Sequence, residues 1–299
     1  LAKDMSFDQC QAIIDKVTRS ITDYLSQKLN EQKIDGLDSF IEIIEYSTLS
    51  SGKMLRPFFT CVIGEAARVN NSDLIKLASA IELIHCYSLI HDDLPAMDND
   101  DYRRGKLSSH KQFGEANAIL AGDAIQALAF EILSEIEHPA IAKVINIFAK
   151  EIGSTGLVGG QYLDLANENN SGITLGVVNQ IILKKTAALL RLSVTLPIYL
   201  SSSHNDLIDN MDEFGTNLGM AYQIIDDLLD VEGDIEDLGK ATGKDKSKGK
   251  PNILAVMPFG QAKELSELLI NNAKANISVF EEQAEPLMAM LDYIKDRKK

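Results

Sequence analysis

The sequence predicts an all-α protein, and three observations support that fold class. Apolar residues recur with the period of an α-helix along most of the 299-residue chain. The sequence contains no alternating strand pattern longer than a few residues and no hairpin turn of the Asn-Gly type. Ala, Ile, Leu, Glu, Asp and Lys dominate the composition, and proline occurs only seven times, which favours helices.

The clearest helical pattern lies in the segment before the first acidic cluster. Its apolar and small residues follow i, i+3, i+4 and i+7 spacing and therefore lie on one helix face. They are Leu74, Leu77, Ala78, Ile81, Ile84 and Ser88. Similar patterns predict helices, in chain order, over 7–29, 115–136, 139–152, 175–200, 205–233 and 260–297.

Short polar breaks separate these predicted helices. They are the Gly-Lys turn at 52–53 and the stretches 98–111, 167–172 and 233–250. None of them is long or biased enough to be an interdomain linker. We therefore expect residues 1–299 to form a single domain.

Composition and charge exclude several functional classes. The net charge of −15 disfavours a nucleic-acid partner, which would need a basic face. The three cysteines, Cys10, Cys61 and Cys86, are too scattered for a disulfide framework or a zinc site, which indicates a reducing compartment.

No apolar run approaches the length of a membrane span. The best candidate in the sequence, 187–200, is interrupted by Arg191 and Pro197. The first residues, LAKDMSFDQC, lack the regions of a signal peptide. We expect a soluble, cytoplasmic protein without a membrane span.

Two acidic clusters follow apolar helical runs. The first, DDLPAMDNDD, contains Asp92, Asp93, Asp98, Asp100 and Asp101, and the second, DDLLDVEGD, contains Asp226, Asp227, Asp230 and Asp234. Acidic groups at the carboxyl end of a buried helix oppose the helix dipole, so a positive partner is expected.

Spacing within the clusters indicates a metal. Asp226, Asp230 and Asp234 lie at i, i+4 and i+8, where like charges repel unless a cation binds them. Ligation by carboxylates alone favours Mg²⁺ over zinc or copper. In the first cluster Pro95 interrupts the helix, so Asp98 is expected to return by a bulge. The alternative for either cluster alone is a solvated acidic loop.

Basic residues complement the acidic clusters. Lys53 and Arg56 lie at the start of a helix, where anions bind, although a plain surface pair is the alternative. Arg103 and Arg104 directly follow the first acidic cluster. His85 lies two helical turns before Asp92, and its alternative is a satisfied core histidine.

Several ordered strings resemble the trans-isoprenyl diphosphate synthases, and most closely the bacterial farnesyl diphosphate synthases. The strings are GKMLRP, HCYSLIHDDLPAMDNDDYRRGK, GEANAILAGDAIQALAF, GLVGGQYLDL, LKKTAALLR, YQIIDDLLDVEGD and LGKATGKD. They extend over about residues 35 to 260 in the family's order. So many ordered motifs are not expected by chance.

The resemblance implies a role for each matching residue. The implied Mg²⁺ ligands, for which Mn²⁺ could substitute, are Asp92, Asp93, Asp98, Asp226, Asp227 and Asp230. The residues implied to contact the allylic diphosphate are Arg103, Lys185 and Lys240, with Thr186 and Gln223 beside the reacting carbons. Those implied to hold isopentenyl diphosphate are Lys53, Arg56, His85 and Arg104. The catalytic set is Asp92, Asp93, Asp98, Arg103, Lys185 and Asp226.

The resemblance also implies an architecture and an activity. The family fold is a bundle of antiparallel helices around a deep central cavity, usually in a homodimer. The implied reaction joins isopentenyl diphosphate to dimethylallyl or geranyl diphosphate, giving farnesyl diphosphate. Tyr87, five residues before Asp92, is implied to be the floor that limits chain length; packing between helices is its alternative.

Competing functions stay open at this point. They are a geranylgeranyl or longer-chain synthase, a terpene cyclase and a non-catalytic helical binding subunit. The intact acidic clusters and the Lys53, Arg56 and His85 set argue against the last two. One departure from the family pattern is the Gly249-Lys250-Pro251-Asn252 string, which leaves the role of Lys250 open.

Overall fold

The computed structural model describes residues 7–49, 52–201, 204–236 and 249–297. Its regular structure in this part of the chain is helical apart from one short hairpin, which confirms the predicted all-α class. The helices up to the middle of the chain are α1 (Phe7–Glu31), α2 (Asp38–Thr48), α3 (Leu55–Ala66), α4 (Asn71–Asp92), α5 (Ser109–Phe113), α6 (Glu115–Ser134) and α7 (Ile141–Ile152).

The second half of the chain is also helical. It contains α8 (Leu157–Ala166), α9 (Leu175–Ile181), a π-helical turn (Ile182–Ala187), α10 (Ala188–Tyr199), α11 (Ile208–Glu236), α12 (Phe259–Ile277) and α13 (Glu285–Asp296). Short 3₁₀ segments span Asn205–Leu207, Ile253–Ala255 and Ser278–Ala284.

The chain divides into two compact units. The N-terminal unit is formed mainly by Gln11–Ile145, and the C-terminal unit mainly by Asn146–Tyr199 and Ser203–Lys299. The prediction of a single domain over residues 1–299 stays a prediction.

The core of the N-terminal unit lies around α4. This helix packs against α3 and α6, and Phe58, Phe59, Leu77, Ile81 and Ile125 are fully buried. Burying such side chains stabilises the fold by about 1.5–3 kcal/mol each. The start of α4 is fixed by Asn70, whose Oδ1 accepts a hydrogen bond from the Ser72 N–H at 2.8 Å. The apolar stripe predicted for this helix is therefore its core face.

The core of the C-terminal unit lies around α11, which packs against α10 and α12. Phe148, Leu192, Phe214, Ile270 and Leu287 are fully buried there. The helix carries the second acidic cluster in its second half, so the packing of its apolar face sets the direction of those carboxylates.

Two of the predicted helices are interrupted in the structure. The pattern over 260–297 breaks at the 3₁₀ segment, where Glu281 has φ 51°, and α13 begins anew with Pro286 in its first turn. Proline fits there because its missing N–H would be unpaired in any case. The pattern over 175–200 contains the π-helical turn, a feature that is frequent at functional sites.

A hairpin that the sequence did not predict follows the first acidic cluster. Strand β1 (Tyr102–Arg103) pairs antiparallel with β2 (Lys106–Leu107), with Arg103 opposite Lys106. The connecting residues Arg104 and Gly105 have φ of 52° and 76°, as in a type I′ turn. Sequence reasoning missed the hairpin because arginine replaces the usual Asn or Asp at the first turn position.

Within the part of the chain that the structure describes, two helices are long and apolar enough to cross a membrane, by length and composition only. They are α4 and α6, whose most apolar windows are 67% and 44% buried inside the structure. Core helices of soluble proteins pass the same test, so this is a weak indication of a membrane span. These two helices, and not 187–200, are therefore the best candidate membrane-spanning segments.

Candidate active site

The structure places the predicted site residues in two groups, one in each compact unit. The N-terminal unit carries Lys53, Arg56, His85, Tyr87, Asp92, Asp93, Asp98, Arg103 and Arg104. The C-terminal unit carries Lys185, Thr186, Gln223, Asp226, Asp227 and Asp230. Lys240 lies outside the described residues.

The first acidic cluster forms a tight turn at the carboxyl end of α4. The helix ends at Asp92, and Pro95 prevents its continuation. The chain then folds back, so that the Asp98 N–H donates to the Asp92 carbonyl at 2.8 Å. Asn99, with φ 51°, donates its N–H to the Leu94 carbonyl at 3.1 Å. The predicted bulge is therefore present, and Asp98 returns to the end of α4.

Arg103 is held by this acidic turn. Its Nε donates to both carboxylate oxygens of Asp93 at 3.0 and 3.2 Å, and its terminal nitrogen also pairs with Asp93. A longer contact of 3.4 Å joins Arg103 to Asp100. Since the Asp93 carboxylate is almost fully buried, the pair fixes the guanidinium against the turn. The structure thus gives Asp93 an orienting role besides its predicted role as a metal ligand.

A second cationic group of the N-terminal unit surrounds Glu82 on α4. Arg104 approaches the Glu82 Oε1 at 3.6 Å, and Arg56 is its other cationic neighbour. His85 lies one turn further along α4. Burial lowers the pKa of His85 well below its usual value, and the charges of Arg56, Arg104 and Arg103 lower it further. His85 is therefore a neutral imidazole in this cluster.

Tyr87 lies on α4 between the acidic turn and the helix core. It is 8% exposed, and its ring meets the His91 ring edge-on with 5.3 Å between centroids. Burial raises the pKa of its phenol, as do the charges of Asp92 and Asp123 on α6, while a hydrogen bond with Gln126 acts in the opposite direction. Tyr87 is thus packed between α4 and α6 with its hydroxyl partnered.

The π-helical turn carries Lys185 and Thr186 in the C-terminal unit. Lys185 Nζ donates to Asp164 Oδ2 on α8 at 2.5 Å. A π-turn shifts the register of a helix by one residue, which brings consecutive side chains onto different neighbours. Lys185 contacts α8 and Thr186 contacts α11, although they are adjacent in sequence.

A chain of hydrogen bonds runs from Thr186 into the second acidic cluster. The Thr186 hydroxyl donates to Gln223 Oε1 at 2.7 Å, and Gln223 Nε2 donates to Asp227 Oδ1 at 2.9 Å. The other Asp227 oxygen accepts the Ile253 N–H at 2.9 Å. Both oxygens of this buried carboxylate therefore bind protein groups, which fixes the Gln223 amide. The predicted role of Asp227 as a metal ligand stays a prediction.

These residues line a cavity of about 170 Å³ in the C-terminal unit. Its polar lining consists of Asp164, Lys185, Thr186, Gln223, Asp227, Lys250 and Asn252. The departure from the family pattern has a local explanation here. Asn252 caps the 3₁₀ turn, since its Oδ1 accepts the Ala255 N–H at 3.0 Å. Lys250 lines the same cavity as Lys185.

The second acidic cluster lies toward the carboxyl end of α11, as the sequence predicted. The helix continues past Asp226 to Glu236, and no proline lies between these two residues. Asp226 pairs with Arg297, whose terminal nitrogen lies 2.5 Å from its Oδ1 and 3.1 Å from the Tyr222 carbonyl. The guanidinium also lies 4.0 Å from the centre of the Tyr222 ring.

The donors of each acidic cluster are of the kind that suits a hard divalent cation. Every predicted ligand is a carboxylate, and carboxylate oxygens are what Mg²⁺ prefers. Within the described ranges, no three or more His, Cys, Asp or Glu side chains converge as a metal-binding group. The guanidinium of Arg297 donates a hydrogen bond to one carboxylate oxygen of Asp226, so this carboxylate already has a positively charged partner within the protein.

Comparison with known proteins assigns the fold and the site to a family. Residues 38–288 match the family described as polyprenyl synthetase, which is most of the chain. The chain belongs to the polyprenyl synthetase family. This confirms the resemblance found in the sequence, and the protein is a prenyltransferase.

Relatives of this polyprenyl synthetase cover nearly the whole chain. The farnesyl diphosphate synthase of Escherichia coli is 40% identical over 268 residues, covering 87% of this chain and 89% of that protein. The geranylgeranyl diphosphate synthase of Cyanophora paradoxa is 40% identical over 274 residues, covering 90% and 91%. The crystal structure of a geranyltransferase from Legionella pneumophila superposes with a TM-score of 0.85 at 32% identity, covering 97% of both chains.

Three polar residues of the clusters were missed by sequence reasoning. They are Glu82, Asp164 and Arg297. Glu82 had a usable signal, because it is a lone acid within the apolar run of α4, and buried acids need a partner. Asp164 and Arg297 had none, since their partners lie 21 and 71 residues away in sequence.

Proposed function

We propose that this prenyltransferase is a farnesyl diphosphate synthase. It joins isopentenyl diphosphate to dimethylallyl diphosphate and then to geranyl diphosphate. Each cycle forms one carbon–carbon bond and releases diphosphate and one proton. Support comes from the similarity to the Escherichia coli synthase. The observation that carries the proposal is the presence of two cationic groups beside α4, since two diphosphates must be bound.

The two groups differ in their partners and therefore suit different substrates. Arg103 is bound to Asp93 of the acidic turn, and we assign it, with Lys185 and Lys240, to the allylic diphosphate. Arg56 and Arg104 are the cationic neighbours of Glu82, and we assign them, with Lys53 and His85, to isopentenyl diphosphate. Guanidinium groups suit this role because they bind phosphate oxygens in a bidentate manner.

We assign the predicted metal ligands, Asp92, Asp93, Asp98, Asp226, Asp227 and Asp230, to Mg²⁺, with Mn²⁺ as a substitute. Bound divalent cations supply positive charge that stabilises the departing diphosphate. In the proposed reaction the cationic side chains of Arg103 and Lys185 also serve to stabilise the negative charge that develops on the leaving diphosphate.

The remaining residues orient the reacting carbons. Gln223 is fixed by Asp227, and Thr186 is fixed by Gln223, so both polar groups stand in a defined orientation beside the allylic cation. Arg56, Arg104 and neutral His85 hold isopentenyl diphosphate so that its double bond can attack. The carbocation formed by this attack loses a proton to the released diphosphate, which gives the new allylic product.

A geranylgeranyl diphosphate synthase is the second candidate. The Cyanophora paradoxa synthase named for that product is as similar in identity as the Escherichia coli synthase. Tyr87 favours the shorter product, because a packed aromatic ring next to Asp92 can block chain growth. The decisive measurement is product sizing after incubation with labelled isopentenyl diphosphate, dimethylallyl diphosphate and Mg²⁺. A product longer than farnesyl diphosphate would select the second candidate, and no condensation would contradict both.

The metal assignment has its own test. Chelation should abolish condensation, and Mg²⁺ or Mn²⁺ should restore it. Asp92→Ala and Asp226→Ala should each lower turnover by roughly three orders of magnitude, since each removes stabilisation of transition-state charge. Asp101→Ala is the matched control, because Asp101 lies in the same turn but pairs with Lys111 at 2.9 Å. Near-normal turnover of a folded Asp92 or Asp226 variant would refute the assignment.

We also propose a cytoplasmic homodimer. The described cysteines, Cys10, Cys61 and Cys86, are free and buried, which fits a reducing compartment. On α6, Ile119 and Leu120 are 44% and 54% exposed, and large exposed apolar side chains on a core helix suit a subunit interface.

A further inference from the structure

Glu82 is a buried acid in the middle of α4, and the mechanism above gives it no role. It is 2% exposed and is flanked by apolar core residues of the same helix. Its Oε1 makes no hydrogen bond shorter than the 3.6 Å approach of Arg104. Burying a carboxylate costs several kcal/mol unless cations compensate it. A glutamate at this position therefore needs an explanation other than core stability.

The cations that compensate Glu82 come from two different elements. Arg56 lies in the first turn of α3, and Arg104 lies in the hairpin turn between β1 and β2. Burial raises the pKa of the Glu82 carboxyl, and the charges of Arg56 and Arg104 act in the opposite direction. The same attraction draws both guanidiniums toward one fixed point on α4. Without it, two neighbouring positive charges would repel each other.

The backbone around Arg104 shows that its guanidinium is held in place. Arg104 has φ 52°, a left-handed conformation that costs a non-glycine residue roughly 1–2 kcal/mol. A Cβ atom on Gly52 would lie 2.7 Å from the Arg104 Cζ, so the glycine leaves room for the guanidinium. Cys86, one turn after Glu82, also hydrogen-bonds to Arg104. Backbone strain of this kind persists where the surrounding contacts enforce it.

We infer that Glu82 is a positioning residue, which fixes the guanidiniums of Arg56 and Arg104 in the orientation that binds the diphosphate of isopentenyl diphosphate. The inference rests on the proposed function, because it takes both arginines as contacts of that substrate. Glu82 itself touches no substrate in this scheme. Its negative charge reduces the net positive charge of the site. Its contribution to binding is the orientation that it gives to the two guanidiniums.

Charge and geometry predict opposite signs for one substitution. If only net charge mattered, Glu82→Gln would make the site more positive, and isopentenyl diphosphate would bind more tightly. If Glu82 positions the arginines, the glutamine side chain no longer forms ionic interactions with Arg56 and Arg104. The arginines are then less well oriented, and isopentenyl diphosphate binds more weakly. Glutamine has nearly the same shape as glutamate, so the substitution changes the charge with little change in packing volume.

The experiment measures steady-state kinetics of Glu82→Gln with each substrate varied in turn. We expect KM for isopentenyl diphosphate to rise roughly tenfold, while kcat and KM for geranyl diphosphate change less than about threefold. Titration calorimetry with isopentenyl diphosphate alone should show the same loss of affinity. Ser79→Ala is the matched control, because Ser79 is fully buried one turn before Glu82 and its hydroxyl has no hydrogen-bond partner. A lower or unchanged KM for isopentenyl diphosphate in Glu82→Gln overturns the inference.

A double-mutant cycle shows whether Glu82 acts through the arginines. Arg104→Ala should raise KM for isopentenyl diphosphate by itself, and adding Glu82→Gln should raise it little further, because coupled residues are not additive. Independent, multiplying effects would overturn the inference. If Arg104→Ala leaves this KM unchanged, the substrate assignment itself fails. If Glu82→Gln does not fold, Glu82→Asp is measured by the same criteria, since it keeps the charge but shortens its reach.

Discussion

At the scale of single residues, the charge state of His85 illustrates how neighbours decide chemistry. A nearby acidic cluster would favour a protonated histidine. At His85, burial and the positive charges of three arginines favour the neutral form instead. Burial is the largest cause of its lowered pKa, and Arg56, Arg104 and Arg103 add to it. His85 therefore contributes a neutral hydrogen-bonding ring to the cluster, and its partner arginines contribute the charge.

This state of His85 predicts a pH dependence of stability. The unfolded chain binds a proton at this histidine below about pH 6.5, whereas the folded protein does not. The free energy of unfolding should therefore fall as the pH drops below about 6.5, until the lower folded pKa is reached. In His85→Gln this component disappears, and the loss of stability between pH 7 and pH 5 should shrink by up to about 2 kcal/mol. Urea unfolding at both pH values measures it, and identical losses in the two proteins would contradict a lowered pKa.

Tyr87 predicts the product length. Tyr87→Ala leaves a void of the kind that large-to-small core changes create, and the growing chain could extend into it. The product should shift from farnesyl diphosphate toward geranylgeranyl diphosphate or longer chains, as measured by chromatography of labelled products. Tyr87→Phe is the control, since it keeps the ring and loses only the hydroxyl that bonds to Gln126. If Tyr87→Ala makes only the farnesyl product at a normal rate, another residue limits the chain.

At the scale of elements, the close approach of α8 to the π-helical turn positions Lys185. Gly160 permits this approach, because a Cβ atom there would lie 2.3 Å from the Lys185 backbone nitrogen and 2.7 Å from the Lys184 carbonyl carbon. Both are backbone atoms, which cannot rotate away as a side chain could. The glycine of α8 and the register shift of the π-turn thus jointly place Lys185 against Asp164.

Gly160→Ala should therefore impair catalysis more than it impairs folding. The methyl group should push the π-turn away from α8. If Lys185 contacts the leaving diphosphate as proposed, this shift lowers kcat by roughly tenfold or more. Gly176→Ala in α9 is the matched control, because a Cβ atom at Gly176 would have the Thr174 hydroxyl as its nearest neighbour, at an ordinary contact distance of 3.8 Å. Steady-state kinetics, with circular dichroism to check folding, compares the two. Equal kcat in both variants would show that the approach is not needed for catalysis.

At the scale of the whole molecule, the exposed apolar side chains of α6 bear on assembly. The helix packs its inner face on α4, yet Ile119 and Leu120 on it are exposed. Exposing large apolar side chains on a core helix costs solvation free energy that a subunit interface would recover.

The proposed homodimer predicts a specific mutational response. The wild-type chain of 32.8 kDa should run at twice that mass in light scattering. Leu120→Glu should yield monomers, because burying an unpaired charge in an interface is costly. Leu268→Glu on α12 is the control, since Leu268 is equally exposed at 55% but lies outside α6. A monomeric wild-type protein, or equal dissociation by both variants, would contradict the proposal.

The sequence by itself determined the fold class, the family and the identity of most candidate residues. Helical period in segments such as 74–88 follows from local geometry, because residues three and four apart share a helix face whatever the rest of the chain does. Pro95 likewise ended α4 through its own missing N–H and its ring. The resemblance was confirmed because its motifs are contiguous strings that keep their order along the chain.

Tertiary structure alone decided which atoms the charged groups contact. The pairing of Lys185 with Asp164 and of Asp226 with Arg297 joins residues 21 and 71 positions apart in sequence. Arg103 meets Asp93, ten positions away, only because the chain folds back after α4. The hairpin at Arg104 was missed because arginine stands where an Asn or Asp usually marks such a turn. Local rules describe neighbours along one helix, whereas the direction of a long polar side chain is set by whichever buried charge it meets. For that physical reason, the sequence could mark Glu82 as a lone acid in an apolar run, but it could not name Arg104 as its partner.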